Sequence, residues 1–518
     1  MLLEQETKPI FGISVLETLT VGMYTNPLDA LRELVQNSVD AIWDAQRAGI
    51  LTEAEARIEI TIDLEKRRII VRDNGTGIRA ADAVAFLSNV GHSTKSLGDN
   101  IGFRGIGRLH GIAYCERVEF RTSAIDEEVM TEVCFDAKEL RELMSPAMRS
   151  DERAEDILYA STYLSTKKEN AQSHFFEATL NNVTLEVPQL LDFAEIQDYL
   201  SQVGPVNFDT PFIWAPKIKK WARDHSVDIP SVPVFIKSGG AKERYVYKPY
   251  RTRYKPLRDT RDDAKVPDIE IDDIAFFPTE SPVESGFWIW YSKSNLLGQI
   301  GDRNAAGLRL RKHNMSIGGA ARIEDLLKES RFNRYFIGEV HIISSGCIPN
   351  ARRDGFEDTE DWARIREALA TFMREREKEV RNESKSRSDP VGRAIQAAIT
   401  VADKAKSAAS LGVAYEVERE KILGTVADNK AKLNAVLPSK LPSHLQESFD
   451  NALVALDEAA SMVESAPYVV AQTKGQLDRK QKKLLQDILE TLGECLPPDM
   501  FKLARNAIMS RFEPKESK

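Results

Sequence analysis

In the first part of the chain, hydrophobic residues recur at helical spacing in one segment and alternate with polar residues, as in strands, in two others. Apolar residues recur at helical spacing through 27–48, and Pro27 suits a first turn, so this pattern predicts a helix. Apolar and polar residues alternate through 57–64 and 67–71, which predicts two strands. A short helix is predicted over 81–89. Helices and strands mixed in this way indicate an α+β domain.

The rest of the chain divides into two further zones. After about residue 200, the runs VPVFIK, GFWIWYS, GLRLRKH and YFIGEVHIIS predict the strands of a second α+β domain. After about residue 360, Ala, Leu, Glu, Lys and Arg dominate, and only prolines interrupt the helical pattern. We therefore predict an α+β protein of three domains, at 1–200, 201–360 and 361–518, with the last all-helical.

Composition narrows the class of protein. The 518 residues are 42% hydrophobic and 29% charged, which excludes a wholly disordered chain. The net charge of -9 argues against a surface that coats nucleic acid, although it says nothing about local basic patches. Four scattered cysteines show no metal-ligand or disulfide spacing. The sequence has no apolar run of about 20 residues and no secretory signal pattern, so we expect a cytoplasmic protein with no membrane partner.

A polar stripe interrupts the apolar helix predicted over 27–48. Glu33 and Asn37 are four residues apart, and Asp40, followed by Ala41, lies three further on, so these side chains share one side of the helix. Carboxylate and amide groups are suited to binding cations and activating water. In a single helix, however, such a stripe is more often a solvated face.

Three glycine-containing segments follow the stripe. Asp73 to Ile78, DNGTGI, comes directly after a predicted strand, and the segment GHSTKSLGDN carries hydroxyls and Lys95. The third segment, IGFRGIG, enters a predicted helix, where exposed backbone N–H groups can bind an anion. Each segment by itself is a weak signal, since short glycine turns are common.

Together and in this order, the segments resemble the GHKL ATPase superfamily. That superfamily includes the ninety-kilodalton heat-shock chaperones, MutL, MORC proteins, type II topoisomerases and histidine kinases. Its motifs correspond here to ELVQNSVDA, DNGTGI and IGFRGIG, and the resemblance covers about residues 10–185. It implies the Bergerat fold, a mixed sheet covered by helices, with ATP and Mg²⁺ as ligands. A P-loop is excluded, because the sequence contains no GxxxxGK[ST] motif.

The resemblance also implies roles for individual residues. Glu33 would be the general base that activates water, and Asn37 would bind Mg²⁺, with Asp40 and Ala41 supporting them. Asp73 would accept the adenine amino hydrogen. The remaining nucleotide contacts would come from two glycine segments and the lid between them: Gly75, Gly77, Ile78, Thr94, Lys95, Gly102, Gly105 and Gly107.

Two further features bear on this resemblance. Histidine kinases of the superfamily have no equivalent of Glu33, so hydrolysis is favoured over kinase chemistry. Many members also carry a Gly-Thr pair on a late strand beside the nucleotide. Here the candidates are Ser161-Thr162 and Ala178-Thr179, and neither pair has the glycine, so this assignment stays open.

Chaperone-type and MutL-type members need a cation from the second domain at the γ-phosphate, which stabilises the charge that develops there. The segment PNARRDGFE follows a predicted strand and resembles the arginine-bearing loop of the chaperones, which favours Arg352 or Arg353. Arg309, Arg311 and Lys312 are alternatives, although their alternation is also typical of a solvated strand.

A basic and aromatic run at 237–261 raises the question of DNA. Lysines, arginines and tyrosines alternate there, and such a surface can bind phosphates and stack on bases. The same alternation is typical of a half-exposed strand. The acidic stretch at 268–273 is a candidate to neutralise the basic groups.

We interpret the chain as an ATP-hydrolysing protein in which nucleotide closes a lid and docks the second domain, in a chaperone-like or clamp-like cycle. One alternative is a MORC-like or MutL-like clamp on DNA, in genome maintenance or defence against phage. Another is a nucleotide sensor that does not hydrolyse ATP and acts through a protein partner. The resemblance implies a homodimer through the helical region and leaves open a protein client.

The helical region has apolar residues at steps of three and four along the chain. These residues are Leu445, Phe449, Leu453, Leu456 and Ala460. This spacing is typical of helices that pack as hairpins or bundles. It does not distinguish a bundle within one chain from a bundle formed by two chains.

Overall fold

The structure is a computed structural model. It describes residues 12–20, 22, 26–89, 107–145, 153–257, 267–279, 281–388, 390–411, 413, 416–435, 441 and 445–467. The chain falls into two compact units, Met1–Val380 and Arg381–Lys518. The division into three domains near residues 200 and 360 stays a prediction.

The first part of the first unit builds one sheet, the helices that cover it, and one helix, Ala215–Asp224, whose Ile218 and Ala222 pack instead in the core with Trp288 and Trp290 of a second sheet. Its helices are α1 (Ile13–Thr20), α2 (Asp29–Arg47), α3 (Ala80–Ser88), α4 (Ala137–Met144), α5 (Ala154–Ala160), α6 (Phe193–Val203) and α7 (Ala215–Asp224), with 3₁₀ helices at Gly107–Ala113 and Pro188–Leu191. Its strands are β1 (Ile58–Asp63), β2 (Arg68–Asp73), β3 (Cys115–Ser123), β4 (Val129–Asp136), β5 (Thr162–Lys168), β6 (Phe175–Val183), β7 (Val234–Ser238) and β8 (Arg244–Tyr245).

These eight strands form a mixed sheet in the order β5-β4-β3-β6-β2-β1-β7-β8. Only β1 and β7 pair in parallel, and that pairing brings a strand from beyond residue 200 into the first sheet. Ile58, Ile60 and Ile62 alternate with less buried residues along β1, as a strand with one covered face requires. Val35 and Val39 of α2 belong to the same core, which confirms the predicted mixed sheet under helices.

A second sheet follows in the same unit. Its elements are β9 (Arg253–Tyr254), β10 (Ile269–Phe277), α8 (Pro282–Ser285), β11 (Phe287–Ser294), β12 (Gly307–Lys312), β13 (Met315–Ser316), α9 (Ala321–Glu324), a 3₁₀ helix at Ser330–Tyr335, β14 (Ile337–Ile342) and α10 (Glu360–Ser388). The strand order is β13-β12-β14-β11-β10-β9. Ile365, Leu369 and Phe372 of α10 recur at helical spacing and pack with Ile289 and Leu310 of the sheet. The predicted α+β character of this region is confirmed.

The structure does not keep the basic and aromatic run as a continuous exposed face. Lys248, Tyr250 and Tyr254 are buried. Arg253 contacts Glu270 at 2.6 Å, so the acidic stretch does pair with the run. The described part of the run is therefore partly buried and partly paired with acidic residues, and contact with DNA stays a prediction.

Beyond the end of α10, which runs to Ser388, the second unit contains three further described helices, α11 (Pro390–Leu411), α12 (Glu416–Asn434) and α13 (Gln446–Ser465). Ala398, Ala402 and Ala405 of α11 are buried together with Phe449 and Leu456 of α13. Small side chains on one helix let bulky side chains on the other approach closely. The predicted helical bundle is thus confirmed within the chain, and a homodimer stays a prediction.

Among the described residues, no helix is both long enough and apolar enough to cross a bilayer.

Candidate functional site

Helix α2 places Glu33 in a buried position between two guanidinium groups. Its Oε1 lies 3.1 Å from Nη2 of Arg32, the preceding residue. The same Oε1 lies 3.2 Å from Nε of Arg353, which comes from the loop after β14. All three side chains are almost inaccessible to solvent. The fold thus brings together the predicted base and one of the two predicted arginines.

A tight turn directs Arg353 towards Glu33. Asn350 N–H donates to the carbonyl of Gly355 at 3.0 Å, and the Asn350 amide donates to Asp354 at 2.7 Å, which closes the turn. Arg353 itself has a φ of 56°, in the left-handed region that an arginine rarely adopts. The N–H of Gly318 donates to its carbonyl at 2.8 Å and so holds this conformation. A backbone conformation this unfavourable persists only where the surroundings determine it.

The structure separates the other predicted cations from Glu33. The side chain of Arg352 is exposed, and only its carbonyl approaches the site, at 3.3 Å from Nη2 of Arg32. Arg311 pairs with Glu339, and Lys312 donates to the carbonyls of Ser344 and Cys347. Arg309 also bonds to nearby backbone. Strand β12 is buried throughout, so the alternative of a solvated strand face is wrong too.

The charges around Glu33 keep it ionised. Burial raises the pKa of its carboxyl, but Arg353 and Arg32 outweigh burial, so the pKa lies below its usual range. His110, in the 3₁₀ helix Gly107–Ala113, is buried nearby. Burial lowers the pKa of His110 to about 4 despite the attraction of Glu33, so this imidazole is neutral at pH 7.

The loop after β2 crosses α2 at close range. Asp73 ends β2, and its Oδ1 accepts from the N–H of Gly75 at 2.9 Å. The N–H of Thr76 donates to the carbonyl of Ala41 at 3.2 Å. A Cβ on Gly75 would lie 2.7 Å from the Cβ of Ala41, closer than real contacts allow. Residues 41 and 75 are therefore small because the loop and the helix touch.

Gly77 is required for a related reason. Its φ is +63°, and a Cβ there would lie 1.9 Å from the carbonyl oxygen of Ser123. The next residue, Ile78, donates its N–H to Oγ1 of Thr122 at 2.8 Å. The sequence analysis attributed the two glycines to approach of a ligand, whereas these contacts are within the protein.

The rest of the polar stripe lies on α2 near Glu33. Asn37 is half-buried one turn after Glu33, and Asp40 is fully buried. A Cβ on Gly107 would lie 2.4 Å from Oε2 of Glu33, so the last residue of the IGFRGIG segment touches the carboxylate directly. Four predicted nucleotide contacts, Thr94, Lys95, Gly102 and Gly105, lie outside the described residues.

The strand candidates for the Gly-Thr pair occupy different places. Ala178 and Thr179 lie on β6, beside Val71 and Ile70 of β2, the strand that ends in Asp73. Thr162 begins β5, at the edge of the sheet. The assignment stays a prediction, and the position of β6 favours Ala178-Thr179.

Several residues of the site escaped the sequence analysis. Thr122 lies beside the DNGTGI segment, as does His174, whose Nδ1 is 2.9 Å from the carbonyl of Gly75. Arg32 and His110 lie at Glu33. Their sequence neighbourhoods contain no spacing that singles them out, except that Arg32 directly precedes the polar stripe.

Comparison with known proteins finds a family model that matches the region of this site. Residues 24–155 match the family model described as "Histidine kinase-, DNA gyrase B-, and HSP90-like ATPase". This stretch includes Glu33, Asn37, Asp73 and Gly107. The N-terminal region is a GHKL-type ATPase domain. The resemblance seen in the sequence is confirmed.

Curated proteins similar to part of this chain are named "Chaperone protein HtpG". The protein from Psychrobacter arcticus is 31% identical over 126 residues, which are 21% of this chain and 19% of the relative. The protein from Colwellia psychrerythraea is 22% identical over 245 residues, 40% of this chain and 37% of the relative. The chain thus spans between about a fifth and two fifths of the length of these relatives. The likeness places the GHKL domain close to the heat-shock chaperone kind.

Proposed function

We propose that the chain binds Mg·ATP and hydrolyses it with Glu33 as general base, and that hydrolysis drives a chaperone-like conformational cycle. The observation that carries this proposal is the contact of 3.2 Å between Glu33 and Arg353. It joins the GHKL domain to the loop after β14, as a cation delivered from a second sheet requires. The HtpG relatives support the chaperone-like character.

Glu33 is buried and ionised, and it would be the base at the phosphoryl centre. When bound, Mg·ATP supplies the phosphoryl group and neutralises part of its charge. Glu33 then accepts a proton from the attacking water, and Arg353 stabilises negative charge at the γ-phosphate. While both guanidinium groups contact Oε1, the carboxylate is a weak base, because they lower its pKa. We therefore infer that a shift of these cations from Glu33 to phosphate precedes proton transfer.

The donor set fits magnesium that arrives with a nucleotide. Within the described ranges, no group of three or more His, Cys, Asp or Glu side chains is placed to hold a metal ion. Mg²⁺ bound to ATP takes most of its ligands from phosphates and water, so one protein oxygen suffices. The Asn37 amide, one turn from Glu33, would supply that oxygen, with Asp40 and Ala41 supporting the helix.

The adenine would lie at the loop after β2. The hydrogen bond from Gly75 N–H fixes the Asp73 carboxylate, which would accept the adenine amino hydrogen. Gly77 and Ile78 would line the base. Gly107 would be the described end of a phosphate-binding segment that also includes Gly102 and Gly105, with Thr94 and Lys95 in the lid.

The output of the cycle would be a change in shape. ATP would close the lid and dock the loop that carries Arg353 beside the γ-phosphate, and hydrolysis would release that loop. We expect a homodimer through the helical unit and a protein client, in the cytoplasm. A DNA clamp is less favoured, since buried and paired residues interrupt the basic run.

Steady-state ATP hydrolysis tests the catalytic role. We expect Glu33→Ala to lower kcat by about 100-fold or more, the usual contribution of a general base. The matched control is Glu53→Ala, at an exposed turn position, which should hydrolyse ATP as the wild type does. Equal rates in the wild type and Glu33→Ala would refute hydrolysis by this site and favour a sensor.

Equilibrium binding tests the adenine assignment separately. Asp73→Asn replaces the acceptor by an amide and should weaken ATP binding at least about tenfold, by the loss of a buried hydrogen bond to a charged group. Asp126→Asn, at a turn position without an assigned role, serves as control. Unchanged affinity in Asp73→Asn would remove Asp73 from the nucleotide site.

A further inference from the structure

Arg32 is shared by two carboxylates that lie one turn apart on α2. Its Nη2 is 3.1 Å from Oε1 of Glu33, and its Nη1 is 3.2 Å from Oδ1 of Asp29. One guanidinium group therefore bridges the proposed base and a second acid that the sequence analysis did not single out. The more strongly Asp29 attracts the guanidinium group of Arg32, the less the charge of that group stabilises ionised Glu33.

A tyrosine competes for the same oxygen of Asp29. The hydroxyl of Tyr199, on α6, donates to Oδ1 of Asp29 at 2.5 Å. Burial raises the pKa of Tyr199 well above its usual range, so the hydroxyl stays protonated and acts as donor. Arg32 and Tyr199 thus both depend on one carboxylate oxygen, and removing either donor leaves that oxygen to the other.

Helix α6 connects this group to the second sheet. Just after Tyr199, the carbonyls of Gln202 and Gly204 accept hydrogen bonds from Arg311 of β12, at 2.9 and 3.3 Å. The amide of Gln202 also donates to Asn304 at 3.0 Å. Movement of the second sheet would therefore displace the helix that carries Tyr199.

Arg32 also has space to change partners. A cavity of about 340 Å³ lies beside it, and its lining includes Asp29, Tyr199 and Arg352. A guanidinium group on a flexible stem can exchange one carboxylate for another within such a volume without repacking the core.

We propose that Asp29 and Tyr199 are positioning residues. They set how strongly Arg32 pairs with Glu33, and thereby how readily Glu33 accepts a proton. This proposal rests on hydrolysis by Glu33. Asp29 draws Arg32 away from the base, and Tyr199 limits that pull by occupying Oδ1. Neither residue contacts the reacting atoms.

The two residues act in opposite directions, which gives a sharp test. In Asp29→Asn the charge is lost and Arg32 shifts to Glu33, so kcat should fall about threefold, as a change of about one pKa unit in a general base would produce. In Tyr199→Phe the Oδ1 oxygen is left to Arg32, so kcat should rise about twofold. KM for ATP should stay within about twofold in both variants, because the adenine site is untouched.

The experiment compares kcat and KM for these near-isosteric variants in the full chain, together with two controls. The controls are Asp198→Asn, exposed on α6, and Tyr159→Phe, exposed on α5, and both should behave as wild type. Both substitutions are repeated in an Arg32→Ala background, where the proposal predicts that neither changes kcat.

Each result decides between positioning and a structural role. Changes of kcat in the same direction, or changes that persist without Arg32, would overturn the proposal, since a merely structural role acts independently of Arg32. If Glu33→Ala is slow while Asp29→Asn matches wild type, this inference fails and hydrolysis by Glu33 stands. If Glu33→Ala matches wild type, hydrolysis by Glu33 fails, and this inference fails with it.

Discussion

Two glutamates of the first unit, Glu33 and Glu339, are each buried beside two cations and a histidine. Glu33 has Arg32, Arg353 and His110 around it. Both described ion pairs of Glu33 fall on Oε1, while Oε2 faces the backbone of Gly107. One of its cations, Arg353, comes from a strained turn in another part of the unit, so a shift of that turn would leave Arg32 as the cation of the described ion pairs at the carboxylate.

Glu339, on β14, is bound on both oxygens. Lys248 Nζ lies 2.6 Å from Oε1 and 2.7 Å from Oε2, and neither side chain is accessible to solvent. Tyr250 donates to Oε1 at 3.1 Å, and Trp290 donates to Oε2 at 3.2 Å. Arg311 and His341 complete the group.

The difference separates the buried glutamate that we propose as a base from one that holds the second sheet together. Glu339 is surrounded by donors from several strands, and they can leave only if the sheet comes apart. Glu33 is held on one side by groups that can move. Burial and a lowered pKa are common to both residues, so neither property identifies the base. The distribution of partners over the two oxygens differs between them, and it supports the role as base that we propose for Glu33.

The largest expected effect is on stability. Glu339→Gln leaves Lys248 and Arg311 as buried cations without their carboxylate, so we expect the free energy of unfolding to fall by about 3–5 kcal/mol. Glu33→Gln should cost no more than about half of that, because Arg32 keeps Asp29 as a partner. Urea denaturation of both variants measures the two losses in free energy of unfolding. Equal losses would contradict the difference between the two glutamates.

The two histidines should make the first unit sensitive to acid. Burial lowers the pKa of His110 and of His341 to about 4, whereas an unfolded histidine titrates near 6.5. The unfolded chain therefore binds protons first, and stability should fall as the pH drops from about 6.5 towards 4, by about 2 kcal/mol per histidine between pH 7.5 and 5.

The free energy of unfolding at several pH values measures this decline. His110→Asn and His341→Asn should each remove about half of it. A curve that stays flat between pH 7.5 and 5 would contradict neutral histidines at both glutamates.

A smaller effect should separate the two arginines that the sequence left open. Arg353→Ala removes the group at Glu33 and should lower kcat about tenfold, while the exposed Arg352→Ala should stay within about twofold of wild type. ATP affinity should change little in either variant. The reverse order of effects would show that the turn delivers Arg352 to the site instead.

Local patterns predicted most elements of the fold. The helix expected over 27–48 is α2 at Asp29–Arg47, because apolar spacing is a property of neighbouring residues. Pro27 precedes the helix and does not lie in its first turn. The pairing of β7 with β1 was not predictable, since it joins segments far apart in sequence. Arg311 was misinterpreted because alternation along β12 suggested one exposed face, whereas Glu339 allows a charged residue to be buried there.

The residues of the candidate site also divide into those that the sequence predicts and those that depend on tertiary packing. Glu33 and Asp73 stand in short motifs, so sequence alone singles them out. The choice of Arg353 over Arg352 depends on one left-handed residue in a turn, which no residue pattern announces. Tyr199 reaches Asp29 only through the packing of α6 on α2, and the sequence carries no trace of that contact.

Single-turnover hydrolysis tests the central claim most directly. Wild type and Glu33→Gln would be mixed in excess over Mg·ATP, with ATP affinity measured on the same samples. We predict that the rate of the chemical step falls by about 100-fold or more in Glu33→Gln while affinity stays within about twofold. Equal rates with equal affinity would contradict the account, because Glu33 would then take no part in the reaction.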